Sequence, residues 1–266
     1  METTLITGAS GGIGEALAAR FAERKHNLLL VARNAAKLAA QCRQLAETYG
    51  ISAQYIAADL ALPTAPTQIF AETQQRGLEI TGLINNAGIG SGGEFSALAL
   101  DAELRLLQLN VSALVALTHL FLPQMQARRS GTIVNVASMA AFMPIPYMAT
   151  YAASKAFVRA FTEAITEECK PHNIRVLLLF PGLTKTNFNE AAGIAGDIGK
   201  GLNTEYTSAA QTPEQVADET LKALDTGQQA VVSGRLNRLG AKLLALVPNA
   251  VTAKSMAGSY RKKMGL

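Results

Sequence analysis

Tyr151 and Lys155 stand four residues apart in Tyr-Ala-Ala-Ser-Lys, with Ser138 thirteen residues before the tyrosine. On a helix that spacing sets both side chains on one face. A phenol can give a proton to a carbonyl oxygen, or as a phenolate remove one from an alcohol. An unperturbed tyrosine, with a pKa of about 10, is a poor base at neutral pH, and lowering it by ~3 units takes about 4 kcal/mol. A lysine charge ~4 Å away in an effective dielectric of ~20 offers about that much. The spacing therefore predicts a phenol made acidic by Lys155. Ser138, expected at a strand end, can hydrogen-bond a substrate oxygen and hold it within reach of Tyr151. Plainer roles exist for each: Ser138 as a cap, Tyr151 and Lys155 as a half-buried aromatic beside a snorkelling amine, and Asn110 as a polar helix position satisfied locally.

A proton donor of this kind needs a redox partner, and the start of the chain offers a seat for one. Thr7-Gly8-Ala9-Ser10-Gly11-Gly12-Ile13-Gly14 lies between an expected strand and an expected helix. Gly8 permits a tight turn, Gly12 lets backbone approach phosphates, and Gly14 lets helix pack closely on strand. The helix N-terminus points free N–H groups and partial positive charge at a pyrophosphate. The next strand ends in Leu30-Val31-Ala32-Arg33-Asn34, without the acid that grips a ribose 2′-hydroxyl in NAD sites. Arg33 can instead fork onto a 2′-phosphate, which points to NADP(H). Asp59, followed by Leu60, ends the third strand; it can accept from an adenine amino group or form a turn.

The elements that must carry these residues alternate. Short apolar runs at Thr3–Thr7, Asn27–Ala32, Ser52–Ala57, Thr81–Asn85, Thr132–Ala137, Arg175–Phe180 and Gln229–Ser233 read as strands buried on both faces. Helical patterns fall at Gly12–Lys25, Ala35–Tyr49, Thr67–Arg76, Ala102–Arg128, Met148–Lys170 and Pro213–Asp225. Such alternation predicts an α/β, doubly wound parallel sheet with helices on both faces in a single domain. Residues 1–235 are expected to form the catalytic domain and 236–266 a C-terminal helical extension of it. Thr184–Ser208, after the Pro181-Gly182 turn signal, is rich in Gly, Asn and Thr and reads as a substrate loop.

Taken in order, these motifs resemble the short-chain dehydrogenase/reductase family. The match rests on the glycine turn, Asn85-Asn86-Ala87-Gly88, Asn110, Ser138, Tyr151-x-x-x-Lys155, and Pro181-Gly182 followed by Thr184. It covers about the first three-quarters of the chain. The resemblance implies a Rossmann-type fold with strand order 3-2-1-4-5-6-7, a nicotinamide cofactor, and a catalytic tetrad of Asn110, Ser138, Tyr151 and Lys155. It further implies that Lys155 binds the nicotinamide ribose and that Asn110 holds a water relaying protons from Lys155. Asn86, Ala87 and Gly88 would line the cofactor, and Pro181, Gly182 and Thr184 would approach its carboxamide. Pairing of the two long helices into a homodimer or homotetramer is also implied.

The bulk properties narrow the remaining choices. The 266 residues are 49% hydrophobic and 17% charged, with net charge +4. Lys and Arg read as mostly scattered, without the basic stripe and interleaved aromatics of a nucleic-acid binder. Cys42 and Cys169 form no metal or disulfide pattern, which suggests a reducing, cytoplasmic setting. The residues after Met1 read as a strand rather than a signal peptide, and apolar runs are too short to predict a membrane span. His26, His119 and His172 show no metal spacing. The stretch Ala140–Met148, with Phe188 and Ala191–Ile194, can wall a mostly apolar pocket, so an apolar or amphiphilic carbonyl or alcohol is the expected substrate. A membrane-surface role for the basic tail is the less expected reading. The alternative to an enzyme is a dinucleotide-binding sensor or scaffold on the same fold, which should lack part of the tetrad.

Overall fold

A computed structural model of the protein describes residues 2–194, 210–244 and 246–264. Seven strands, β1 (Glu2–Thr7), β2 (Asn27–Ala32), β3 (Ala53–Ala57), β4 (Glu79–Asn85), β5 (Gly131–Val136), β6 (Ile174–Phe180) and β7 (Ala230–Val232), form one sheet. Their order is 3-2-1-4-5-6-7 and every pairing is parallel. This is the expected doubly wound, Rossmann-type sheet. Its helices are α1 (Gly12–Glu23), α2 (Ala35–Tyr49), α3 (Ala65–Gln75), α4 (Leu100–Leu107), α5 (Ala113–Arg128), α6 (Ala149–Cys169), α7 (Phe188–Ala191), α8 (Pro213–Asp225), α9 (Arg235–Leu244) and α10 (Asn249–Met264).

The strands are apolar throughout because both faces are covered. Successive side chains point to opposite sides. Ile6, Leu28 and Leu30 therefore pack with Leu17, Phe21, Val216 and Leu221 of α1 and α8. Their neighbours Leu5, Leu29 and Val31 pack with Ile69, Leu117, Phe121 and Ile165 of α3, α5 and α6. Local signals bound the helices. Asn34 caps α2 by accepting from the Lys37 N–H at 3.0 Å, and Gly50 ends it in the left-handed conformation at φ 64°. Thr212 and Gln215 form a reciprocal capping box at the start of α8.

One long helix is not regular. Leu100–Arg128 is helical from end to end, but Gln108–Ser112 forms a π-turn between α4 and α5. The most apolar 18-residue stretch of this 29-residue rod has a mean hydropathy of 1.6, enough by composition for a membrane span. Here Leu106, Leu117, Phe121 and Met125 on its inner face are buried against the rest of the domain. A polar chain runs through the core beside it. Asn85 Nδ2 donates to Thr118 Oγ1 at 3.1 Å and to Asn135 Oδ1 at 2.9 Å, and Asn135 Nδ2 donates to Thr162 Oγ1 at 3.0 Å. These bonds tie β4, β5, α5 and α6 together below the carboxyl ends of the strands.

Candidate active site

The sheet order reverses direction at β1 and β4, which opens a crevice at the carboxyl ends of the strands. The glycine turn fills one side of it. Gly8 has φ 65°, and a Cβ there would lie 2.9 Å from Ala87 Cα; a Cβ on Gly14 would lie 2.3 Å from Gly8 O. Gly12 has φ 57° and a Cβ on it would meet Thr186, whereas a Cβ on Gly11 would enter open space. Gly11 is the N-cap of α1 and makes no side-chain cap bond. The first N–H groups of the helix thus face the crevice without a capping side chain. Ser10 is partly exposed beside them and Ile13 packs inward against α1's core face.

The turn is locked to β4. Thr7 Oγ1 donates to Ile84 O at 3.2 Å and accepts from the Asn86 and Ala87 N–H groups at 2.9 and 3.0 Å. Asn86 Nδ2 returns to Thr7 O at 2.9 Å. Ala9 N–H bonds Val31 O, linking the turn to β2. Arg33 is exposed just past β2. Asp59 forms a turn, accepting from the Ala61 N–H at 3.0 Å, and pairs with Arg105 of α4. Burial pushes its carboxyl up, but the bonds from Arg105 and Ala61, with Arg33's charge added, hold it below the usual carboxylate range. The turn-forming role left open by the sequence is the one seen. Leu60 is a buried core side chain beside α3.

This cradle fits a dinucleotide. It joins an uncapped helix N-terminus, an open glycine floor and an exposed arginine beyond β2, all at one edge of the sheet. Gly88 adds a second narrow point: a Cβ there would lie 3.2 Å from Asn110 Oδ1 and 3.4 Å from Lys155 Nζ.

Helix α6 carries Tyr151 and Lys155 into the crevice, 8% and 5% exposed. Lys155 Nζ lies 6.0 Å from the Tyr151 ring centroid and donates to Val136 O at 2.9 Å. Ser138 follows β5, and its Oγ accepts from the Ala140 N–H at 3.1 Å. It therefore does act as a cap, and its side chain lies near enough to the Tyr151 phenol to favour the phenolate somewhat. Asn110 sits in the π-turn, 1% exposed. Its Oδ1 accepts from the Ile89 N–H and its Nδ2 donates to Ile89 O, both at 2.9 Å; Nδ2 also donates to Ser154 Oγ at 3.1 Å. Ser154 Oγ in turn donates to Tyr151 O at 2.7 Å. The extra residue of the π-turn turns the asparagine inward, where its amide braces the loop after β4 against α6.

The electrostatics correct one expectation. Burial pushes the Tyr151 phenol up, while the Ser138 hydrogen bond opposes the shift only in part. Burial also brings Lys155 down to about 8. Each buried group thus disfavours its own charge, which for the phenol is the opposite direction to the one helical spacing suggested.

On the substrate side, Tyr151 meets an apolar cluster of Leu106, Ala140, Met148, Ala192, Ile194 and Tyr260, with Ile89, Ile145, Tyr147 and Phe188 packed against it. The Phe188 ring lies 5.5 Å from that of Tyr151. Ala140, Ile145, Tyr147, Met148, Phe188, Ala192 and Ile194 of the expected wall are assembled, but Ala141 and Phe142 belong to a different cluster. The Phe142 ring packs 4.6 Å from Phe180 under Arg159 instead, because the short turn Met139–Phe142 points it into a neighbouring core. The segment from Thr184 begins as expected without a strand, adds the short α7, and is anchored where Thr184 bridges to Gln211. Residues 195–208 of the expected loop lie outside the described residues.

Several features had no sequence signal. Tyr260 of α10 stacks on Tyr147 with centroids 3.7 Å apart, and Tyr147 itself holds a left-handed φ of 66°. For a non-glycine residue that costs about 1–2 kcal/mol and marks a position fixed by its surroundings. Asn237 of α9 occupies the space over Gly182, where a Cβ would come within 2.1 Å of its Nδ2. Gly182 is thus required by protein packing as well as by any ligand, while Pro181 accepts the Met139 N–H at 3.0 Å. Glu103 of α4 is 5% exposed, with both carboxylate oxygens buried and without hydrogen-bond partners among the described residues.

Comparison with known proteins agrees with this geometry. Residues 2–195 match the family model for short chain dehydrogenases. A "Dehydrogenase/reductase SDR family member 7B" from Bos taurus is 32% identical over 97% of this chain and 81% of its own. Among solved structures, a short-chain dehydrogenase from Sphingobium yanoikuyae in complex with NADPH superposes with a TM-score of 0.80 at 29% identity, covering 94% of this chain and 98% of that one. A 7beta-hydroxysteroid dehydrogenase superposes with a TM-score of 0.84 at 26% identity, covering 96% of each chain. With the sheet order, the glycine cradle and the Tyr151–Lys155 helix on one crevice, the chain belongs to the short-chain dehydrogenase/reductase family of oxidoreductases.

Proposed function

We propose that the protein reduces an apolar or amphiphilic carbonyl compound with NADPH, and that Tyr151 is the proton donor. The observation that carries this reading is the setting of Tyr151. Tyr151 is buried near Ser138, beside Lys155 and against an apolar cluster. When bound, the nicotinamide supplies a hydride to the substrate carbon. Ser138 orients the substrate oxygen, and Tyr151 gives it a proton from hydrogen-bond range. The ammonium of Lys155 then stabilises the phenolate left behind.

Support for NADP(H) over NAD(H) comes from Arg33 past β2, where a 2′-phosphate would sit, and from the NADPH in the Sphingobium relative. The apolar cluster, and the hydroxysteroid substrate named for a structural relative, support an extended hydrophobic ketone over a sugar or a charged acid. Oligomer formation is part of the same reading: Leu100, Leu104 and Leu107 on α4 and Phe157 on α6 are exposed on the helices that family members pair. The test is a panel of ketones and aldehydes, apolar to polar, with oxidation of NADPH or NADH followed by absorbance. Turnover should favour apolar ketones and NADPH, and Arg33→Ala should weaken NADPH far more than NADH. Equal losses with both cofactors would remove the 2′-phosphate assignment.

A further inference from the structure

The last 41 residues differ in charge from the rest of the molecule. Seven of the chain's 24 basic residues lie after Asp225 and none of its 20 acidic ones, which leaves 17 basic against 20 acidic before that point. The basic residues are therefore not scattered: a weakly acidic body carries a tail of +7. Such asymmetry points to an anionic partner.

The same segment is amphipathic. On α9, Leu236, Leu239 and Leu243 recur at helical spacing and are 67, 56 and 56% exposed, while Ala241 on the opposite side is 6% exposed and packed inward. The row continues with Leu246, 81% exposed, in the link to α10, and Val251 in the first turn of α10. Six of the twelve exposed large apolar side chains among the described residues lie in this tail. Arg235 and Lys242 flank the leucine row, and Arg238 pairs with Glu219. On α10, Tyr260 and Thr252 face inward, leaving Lys254, Arg261 and Lys262 outward.

We propose that α9 and α10 form a docking surface for an anionic lipid bilayer, with the leucine row entering the headgroup–acyl boundary and the basic residues meeting lipid phosphates and carboxylates. An acid-free, leucine-faced, basic helix pair has the composition of an interfacial membrane element. A second copy fits this surface less well. A two-fold contact would bring two basic, acid-free segments against each other, whereas an anionic lipid surface neutralises their charge. The exposed side chains reverse the balance struck by the sequence alone, in which the tail's leucines had no assigned face.

The test uses the full chain with vesicles of phosphatidylcholine alone, or of phosphatidylcholine mixed with phosphatidylserine. The expected result is flotation with the phosphatidylserine vesicles only, reversed by high salt. Leu236→Gln/Leu239→Gln/Leu243→Gln should lower binding by about tenfold or more, and each of Lys242→Gln and Lys254→Gln by about fivefold. All positions are exposed, so thermal unfolding and circular dichroism should stay as in the parent. Binding that ignores phosphatidylserine, or no binding at all, overturns the proposal. So does a leucine variant that changes the oligomeric state while leaving flotation intact, because the row would then cover another copy. None of these readouts depends on turnover, so a wrong substrate or cofactor assignment leaves the test standing.

Discussion

Lys155 is a cation held where burial disfavours charge, and that has a measurable cost. Its pKa falls from 10.5 to about 8 in the folded protein. Between those values the unfolded chain holds the extra proton, so stability rises with pH across that window. The penalty is fully present below it and amounts to about 3 kcal/mol. Urea unfolding measured at a series of pH values should show this rise in the parent and lose it in Lys155→Met; the same slope in both would contradict the assignment. Glu103 is the second residue under tension. A buried carboxylate without partners loses its hydration for no hydrogen bond in return. Glu103→Leu should therefore raise stability by about 1–3 kcal/mol in thermal unfolding. A loss of stability would mean that Glu103 has a partner not seen among the described residues.

At the scale of elements, the site depends on β4, β5, α5 and α6 keeping their relative positions, and the Asn85–Asn135–Thr162 chain is the polar link among them. Asn135→Leu leaves Asn85 and Thr162 buried without that partner and should cost about 2–4 kcal/mol in denaturant unfolding. A change below about 0.5 kcal/mol would show that apolar packing alone sets the arrangement. The strands were legible because a strand buried on both faces leaves a continuous apolar run, whereas their order followed from the family resemblance of the motifs and not from the apolar pattern. The helices α2 and α8 were legible to the residue, since Asn34, Gly50 and the Thr212–Gln215 pair bound them locally. What escaped the sequence depends on distant contacts. Asn110 in the π-turn bonds Ile89 across the crevice, Tyr260 matters only because α10 folds back onto Tyr147, and the burial that pushes the Tyr151 phenol up is not revealed by spacing.

Across the whole molecule, two exposed apolar surfaces have different electrostatic company. The tail's leucines lie among cations, whereas Leu100, Leu104 and Leu107 share α4 with Asp101, Glu103 and Arg105. The second patch is the contact that the proposed oligomer would use. If that proposal holds, Leu104→Arg, at 53% exposure, should lower the sedimenting mass to that of a monomer without altering the fold. An unchanged oligomer would place the subunit contact elsewhere. The functional account as a whole rests on the phenol of α6. The most direct measurement compares the parent with Tyr151→Phe in single-turnover reduction of an apolar ketone by NADPH, with cofactor affinity measured alongside by fluorescence. Loss of about 100- to 10,000-fold in rate at nearly unchanged affinity is the predicted result. A phenylalanine variant that reduces the ketone as fast as the parent would contradict it.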